Sequence, residues 1–166
     1  MPFTPFHLGP GAVFKALGGK YFSFMVFGGA QVLIDIEVLV RILKGDALLH
    51  GRSHTVLGAA IIGLIAMLSG KPVSELVMKR LGARAFKVSW VASAAGAFVG
   101  TFSHVLLDGL LHADMEPGYP FTAANPLLKA VSAGTLHLIC VVCGIAGAIL
   151  IAISAETKRR RKGAME

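Results

Sequence analysis

The sequence predicts an all-α fold, a polytopic membrane helix bundle of four spanning helices plus an N-terminal half-helix, built as one domain over residues 1–166. Three observations predict it. The chain is 55% hydrophobic and only 15% charged, with a mean hydropathy of +0.72 and 20 glycines, unlike an ordinary soluble domain. Four apolar runs each reach the roughly 20 residues needed to cross a hydrocarbon core. The basic residues gather in a few places instead of spreading over a surface.

The elements follow in order. "LGPGAVFKALGGK" (8–20) is too short to span and reads as a half-helix descending to a turn at Gly18-Gly19. The first span covers about 22–43. The second, 54–70, is short and starts at "SHT", with Ser53 as its N-cap. "SGKPVSELVMKRLGARAFK" (69–87) is expected to break at Gly70 and Pro72 and then to form a short amphipathic helix. The third span is 88–111, "MEPGYPFTAANP" (115–126) is an ordered loop, and the fourth span is 134–154. The opening "MPFTPFHLGPGAVF" lacks the basic start and continuous apolar core of a cleavable signal peptide. There is no internal repeat and no low-complexity tract.

A net charge of +7 raises the question of nucleic acid, but its distribution argues against that partner. Five of the 16 basic residues lie in "KRRRKG" (158–163), directly after an apolar run, as a cytoplasmic membrane flank does. The 71–87 loop carries another five, whereas the 44–53 loop has Lys44 and Arg52 and the 113–133 loop only Lys129. The 71–87 loop and the C-terminal tail are therefore expected in the cytoplasm, the other two loops outside. Cys140 and Cys143 form a C-x-x-C inside an apolar run, where small packing residues are the simplest reading.

"SHVLLDGLLHAD" (103–114) poses the functional question, because it keeps four titratable groups together beside a long apolar stretch. At ~1.5 Å per residue, Asp35, His54, His104 and His137 all lie about 22–25 Å above the cytoplasmic ends of their spans. Asp108 and His112 continue just above His104, and His50 lies above His54. Counted back from the Gly18-Gly19 turn, His7 rises roughly 20 Å to the same level. All six histidines then share one layer with Asp35, Glu37, Asp108 and Asp114. His104, Asp108 and His112 stand at i, i+4 and i+8 and line one helix face. His50 and His54 would do the same if their helix began before Ser53. Asp35 and Glu37, two apart, point about 200° from each other unless the helix is broken there. Asp35 is the preferred ligand and Glu37 a supporting partner or general base.

Each residue alone has a plainer role. A single membrane histidine such as His137 hydrogen-bonds a neighbouring helix, and Asp35 could balance Arg41 or Arg52. Intramembrane carboxylates are nonetheless functional candidates by default. A mixture of imidazoles and carboxylates converging from several helices suits a divalent ion, zinc first among them. The expected ligands are His7, Asp35, His50, His54, His104, Asp108 and His112.

The chain resembles the bacterial membrane-bound metal-dependent hydrolases, the group related to the YdjM-type inner-membrane hydrolases. The resemblance rests on "MPFTPFHLGPG", "VLIDIE", "LHGRSHT", "SHVLLDGLLHADMEPGYPF", "NPLL" and "LHLIC", spread from residue 1 to about 143. It implies a bacterial inner-membrane location and metal-site roles for His7, Asp35, His54, His104 and Asp108, with His50, Glu37, His112 and Asp114 as close partners. Many members of that family read Pro-Asp-x-Asp where this chain has Ile34-Asp35-Ile36-Glu37, so the family pattern does not fix the direction of Glu37. The His-x-x-x-Asp element is also similar, over a short stretch, to the all-helical zinc phospholipase C group.

Hydrolysis by such a site needs an activated water, a proton acceptor and a hold on the substrate's charge. Glu37 or Asp114 is the expected acceptor. Arg52 is placed to bind a phosphate or carboxylate, or else to anchor the chain at the interface. The expected substrate is a membrane lipid or lipid-linked phosphate ester, such as a polyprenyl carrier, met at the outer leaflet. Two rivals stand beside this. A divalent-metal or proton transporter needs polar residues continuing inward, which "GAAIIGLIAML" and "GIAGAILIAIS" do not supply. A di-iron oxidoreductase usually draws on more bridging glutamates than Glu37 alone.

Overall fold

The computed structural model describes residues 5–164, and those residues form helices joined by turns and loops, with no strand among them. The helices are α1 (Leu8–Gly18), α2 (Phe24–Ile34), α3 (Ile36–Lys44), α4 (Val56–Arg80), α5 (Trp90–Leu111) and α6 (Ala133–Gly163). Three of them, α4, α5 and α6, are long and apolar enough to cross a membrane, as an integral membrane protein requires.

The expected half-helix is α1. Pro10 sits in its first turn, where a missing N–H costs nothing. It ends at Gly19, whose φ of +50° turns the chain, and Lys15 Nζ donates to the carbonyls of Gly19 (2.7 Å) and Phe22 (2.9 Å). Helix α1 then lies along α6. A methyl group at Gly147 would run into the backbone of Ala12 and Val13, so the absence of a side chain there sets the closeness of this pair.

Helix α5 is the centre of the bundle. Ala92, Gly96, Gly100, His104 and Asp108 recur every four residues and are all buried. The small members of that row let α2 approach: a side chain at Gly96 would strike the Ser23 carbonyl. Ser23 in turn caps α2 by accepting from Val26 N (3.3 Å) and donates its own N–H to Ala92 O (3.0 Å). The neighbouring row holds α4, with Ser93 Oγ donating to Met67 O (2.7 Å). One helix thus brings α2 and α4 together at its start and presents His104 and Asp108 at its other end.

Four boundaries differ from expectation. The segment 22–43 is two helices of 11 and 9 residues that part at Asp35, so a fourth single helix of spanning length is not formed. Helix α4 does not stop at Gly70 and Pro72 but continues to Arg80. Proline removes one ladder bond, and packing outweighs that loss. Gly70 sits against Val26 of α2, and Glu75 ties the last turns to the lead-in of α5. Glu75 accepts from Lys71 (2.6 Å) and the Val88 N–H (3.0 Å), with Lys87 at 3.5 Å. The N-cap of α4 is Thr55, which accepts from Gly58 N (2.9 Å), rather than Ser53. Ser53 lies one turn earlier, in the 3-10 turn Arg52–His54. Helix α6 also outruns its predicted span, reaching Gly163 with Glu156 pairing Arg159 and Arg160 along its final turns.

Candidate metal centre

Asp108 is the hub. Its carboxylate lies within 4 Å of five histidine Nε2 atoms: His104 (3.1 Å), His7 (3.3 Å), His54 (3.7 Å), His50 (3.8 Å) and His112 (3.9 Å). Four routes through the fold deliver those rings. His104 comes from the turn below on α5. His112 follows the end of α5, where the chain turns extended (φ −105°, ψ 122°). His7 leads into α1, and His50 and His54 come from the loop and 3-10 turn before α4. Because α4 starts only at Val56, His50 and His54 do not share a helix face; their rings meet edge to face with centroids 4.9 Å apart. Asp35 enters from the break between α2 and α3, with Oδ1 3.2 Å from His104 Nε2 and 3.5 Å from His54 Nε2.

The far side of each ring is also held. Gln31 Nε2 donates to the Gly100 carbonyl (3.1 Å), which turns its amide oxygen toward His104 Nδ1 at 2.6 Å. An amide oxygen only accepts, so His104 Nδ1 carries a hydrogen and Nε2 is the atom turned towards Asp35 and Asp108. His54 Nδ1 is 2.8 Å from Ser53 Oγ. His50 Nδ1 is 2.9 Å from Asp114 Oδ1, while Asp114 Oδ2 accepts from the backbone N–H groups of Leu49 (2.9 Å) and His50 (3.1 Å). Burial raises the Asp114 pKa, but the His50 backbone and ring and the Leu49 amide outweigh it and hold the carboxyl at about 2.

The inward side of these rings is where charge gathers. The Nε2 atoms of His54 and His104 are buried, make no well-aligned hydrogen bond, and lie 3.1–3.7 Å from the carboxylate oxygens of Asp35 and Asp108. With neutral rings this sets acceptor against acceptor, at about 1–3 kcal/mol for each group left unpaired. A cation between them removes the conflict. The separations fit one: four atoms bound tetrahedrally at about 2.0–2.1 Å lie roughly 3.3–3.4 Å apart, and the Nε2–Oδ distances among Asp35, His54, His104 and Asp108 run from 3.1 to 3.7 Å. These four buried residues each offer one donor atom within 4.8 Å of the others, and His50, Asp108 and His112 form a second such group. Two imidazoles with two carboxylates suit a borderline divalent ion. The cluster could hold a metal ion.

The other predicted residues lie around it. Glu37 belongs to neither group: Oε1 accepts from Arg41 (2.9 and 3.1 Å) and Oε2 from Ser53 N (2.7 Å), so its carboxylate pins the turn that carries His54. Arg52 is exposed, with its guanidinium carbon 3.2 Å from the Tyr119 ring centroid and Nη1 3.8 Å from Glu116. It lines a polar cleft of about 240 Å³ together with Arg41, His50, Asp114 and Glu116. A second cavity, about 210 Å³, opens between α1 and α2, where His7, Asp35 and His104 meet Leu8, Gly28 and Val32. His137 does not join the layer; it stacks on Phe6 with centroids 4.5 Å apart. Cys140 and Cys143 are free, and Cys140 packs with Leu107 and Leu136. The residue that the sequence expectation missed is Gln31. Its signal was available, as an amide inside an apolar run four residues before Asp35.

No family profile, no curated protein and no solved structure matches the chain. The chemistry of this centre is argued from its own geometry.

Proposed function

We propose that the protein is a metal-dependent hydrolase embedded in the bacterial inner membrane, allied to the YdjM-type hydrolases its motifs resemble, with zinc as its ion. The observation that carries this reading is the buried convergence of the His54 and His104 Nε2 atoms on the Asp35 and Asp108 carboxylates at 3.1–3.7 Å. When bound, a divalent ion supplies Lewis acidity and a water whose pKa falls towards ~7. The donors that would hold such an ion are the buried group Asp35, His54, His104 and Asp108 and the adjoining group His50, Asp108 and His112. Gln31, Ser53 and Asp114 fix the rings. Glu37 and Asp114 each already accept three hydrogen bonds, so they act as positioning residues, and a strongly basic side chain is not needed beside a water already near neutrality.

The substrate is an amphiphile with an anionic head, a phosphate ester of a lipid or polyprenyl carrier. Two features support this. Arg41 and Arg52 line the polar cleft that also contains His50, and a guanidinium binds phosphate bidentately. The cavity between α1 and α2 reaches His104 and Asp35 past apolar side chains, as a lipid tail requires. The chain crosses the membrane four times, α2 and α3 together making the remaining crossing, with Ile36, Leu39, Val40 and Leu43 exposed to lipid. Lys15, Lys20 and Lys87 line one cleft near the start of α5. Together with the basic 71–87 loop and tail they mark the cytoplasmic end and set the cluster towards the outer leaflet. A cysteine at Ala164 is then labelled from the cytoplasmic side only.

The test is turnover. Purified protein in lipid vesicles is expected to hydrolyse at least one member of a phosphate-ester lipid panel, and chelation should abolish that activity. Transport of zinc or protons across the vesicle wall, with no ester hydrolysed, would replace this reading with a transporter.

A further inference from the structure

The two donor groups share one residue and differ in everything else. In the inner group Asp35, His54, His104 and Asp108 are all buried, with His54 at 0% and His104 at 1% side-chain exposure. In the outer group His112 is 25% exposed, and His50 borders the Arg52 cleft. Asp108 belongs to both. Its Oδ2 is 3.1 Å from His104, 3.7 Å from His54 and 3.8 Å from His50, while its Oδ1 is 3.3 Å from His7 and 3.9 Å from His112. The outer rings are brought close and tilted by 33°, with His50 and His112 centroids 4.2 Å apart. His50 has its Nδ1 on Asp114, which turns its Nε2 inward, the same carboxylate–histidine device that orients metal ligands elsewhere.

Resting on the metal reading above, we infer that the centre holds two divalent ions bridged by Asp108. The inner ion has four protein donors, Asp35, His54, His104 and Asp108, and is closed. The outer ion has three, His50, His112 and the shared Asp108, and keeps a position open towards the Arg52 cleft. Four donors mark structural sites and three mark catalytic ones, so the two ions divide the work. The inner ion fixes Asp108 and draws α2, α4 and α5 together. The outer ion meets the substrate's phosphoryl oxygens, with Arg52 on the same side. A single carboxylate spans two ions about 3.5–4 Å apart, the separation of two-metal hydrolytic centres.

Elemental analysis of protein equilibrated with zinc in mild detergent and then desalted tests this. The wild type is expected to retain two ions per chain, and His112→Ala one. Because His112→Ala could disturb the end of α5, manganese-loaded wild type gives a reading that needs no variant: two bridged Mn(II) ions show an exchange-coupled paramagnetic resonance spectrum, and isolated ions a six-line one. One zinc per chain in both proteins, with the six-line spectrum, overturns the two-ion centre and leaves the metal reading standing. No retained metal in the wild type overturns both. Loss of both ions in a folded His112→Ala overturns the division between an inner and an outer site.

Discussion

Helices α5 and α6 both have the length and apolar composition to cross a membrane, but 50% of the spanning window of α5 is buried inside the protein against 11% of that of α6. Helix α6 pairs with α1 and leaves Leu138, Ile139, Val142, Ile145, Ile149 and Ile153 exposed, the pattern of a helix facing lipid. Helix α5 uses small residues every fourth position to draw in α2, and continues the same row as His104 and Asp108. Apolar composition identifies a crossing, whereas the spacing of small and titratable residues identifies the helix around which the site is built. Within lipid, close packing and polar contacts hold helices together more than apolar burial does, so the small-residue row both organises the bundle and positions its ligands.

Three substitutions probe that contrast, from the largest expected effect to the smallest, with Gly134→Ala as the control for the first. Gly96→Leu on α5 places a side chain against the Ser23 carbonyl, a backbone atom that cannot swing aside. It should cost about 3 kcal/mol, the upper end for overpacking, read as a lowered unfolding midpoint in detergent. Gly134→Ala on α6 meets open space and should be neutral; equal losses in the two would erase the distinction between the helices. Gln31→Leu leaves the bundle intact but frees His104 Nδ1, and metal affinity should fall about 10–100-fold in a competition titration. His137→Ala removes a ring that stacks only on Phe6 among the described aromatic pairs. Metal content should not change, and a loss comparable to that of Gln31→Leu would return His137 to the ligand layer.

Much of this was legible in the sequence. The third span and the half-helix match α5 and α1 to within about two residues, because a long apolar run and a Gly-Gly turn are strong local signals. Counting rise per residue brought His7, Asp35, His54, His104 and Asp108 to one level, and the structure brings those five together. The same count set His137 at that level, but height along an axis says nothing of rotation about it, and the ring stacks on Phe6 instead of facing the cluster. The break at Asp35 carries no proline or glycine to announce it; it coincides with the point where that carboxylate reaches His104 and His54. The run through Gly70 and Pro72 was unreadable for the opposite reason, because local breakers there are overridden by Val26 and the Glu75 ties, which are tertiary contacts. Glu37 was legible as a carboxylate in the right layer, but its commitment to Arg41 and Ser53 depends on a loop path that periodicity does not encode.

The most direct test of the whole account is the metal content of the wild type against His104→Ala, both purified in mild detergent without added metal and matched for helical content. His104 Nε2 lies closest to both carboxylates of the inner site, 3.2 Å from Asp35 and 3.1 Å from Asp108. Wild-type protein is expected to carry at least one stoichiometric divalent ion, and the folded variant to have lost the inner one. A wild type free of metal, or a variant that keeps its full complement, would mean that the buried cluster is held by protons on its histidines and that no metal chemistry takes place there.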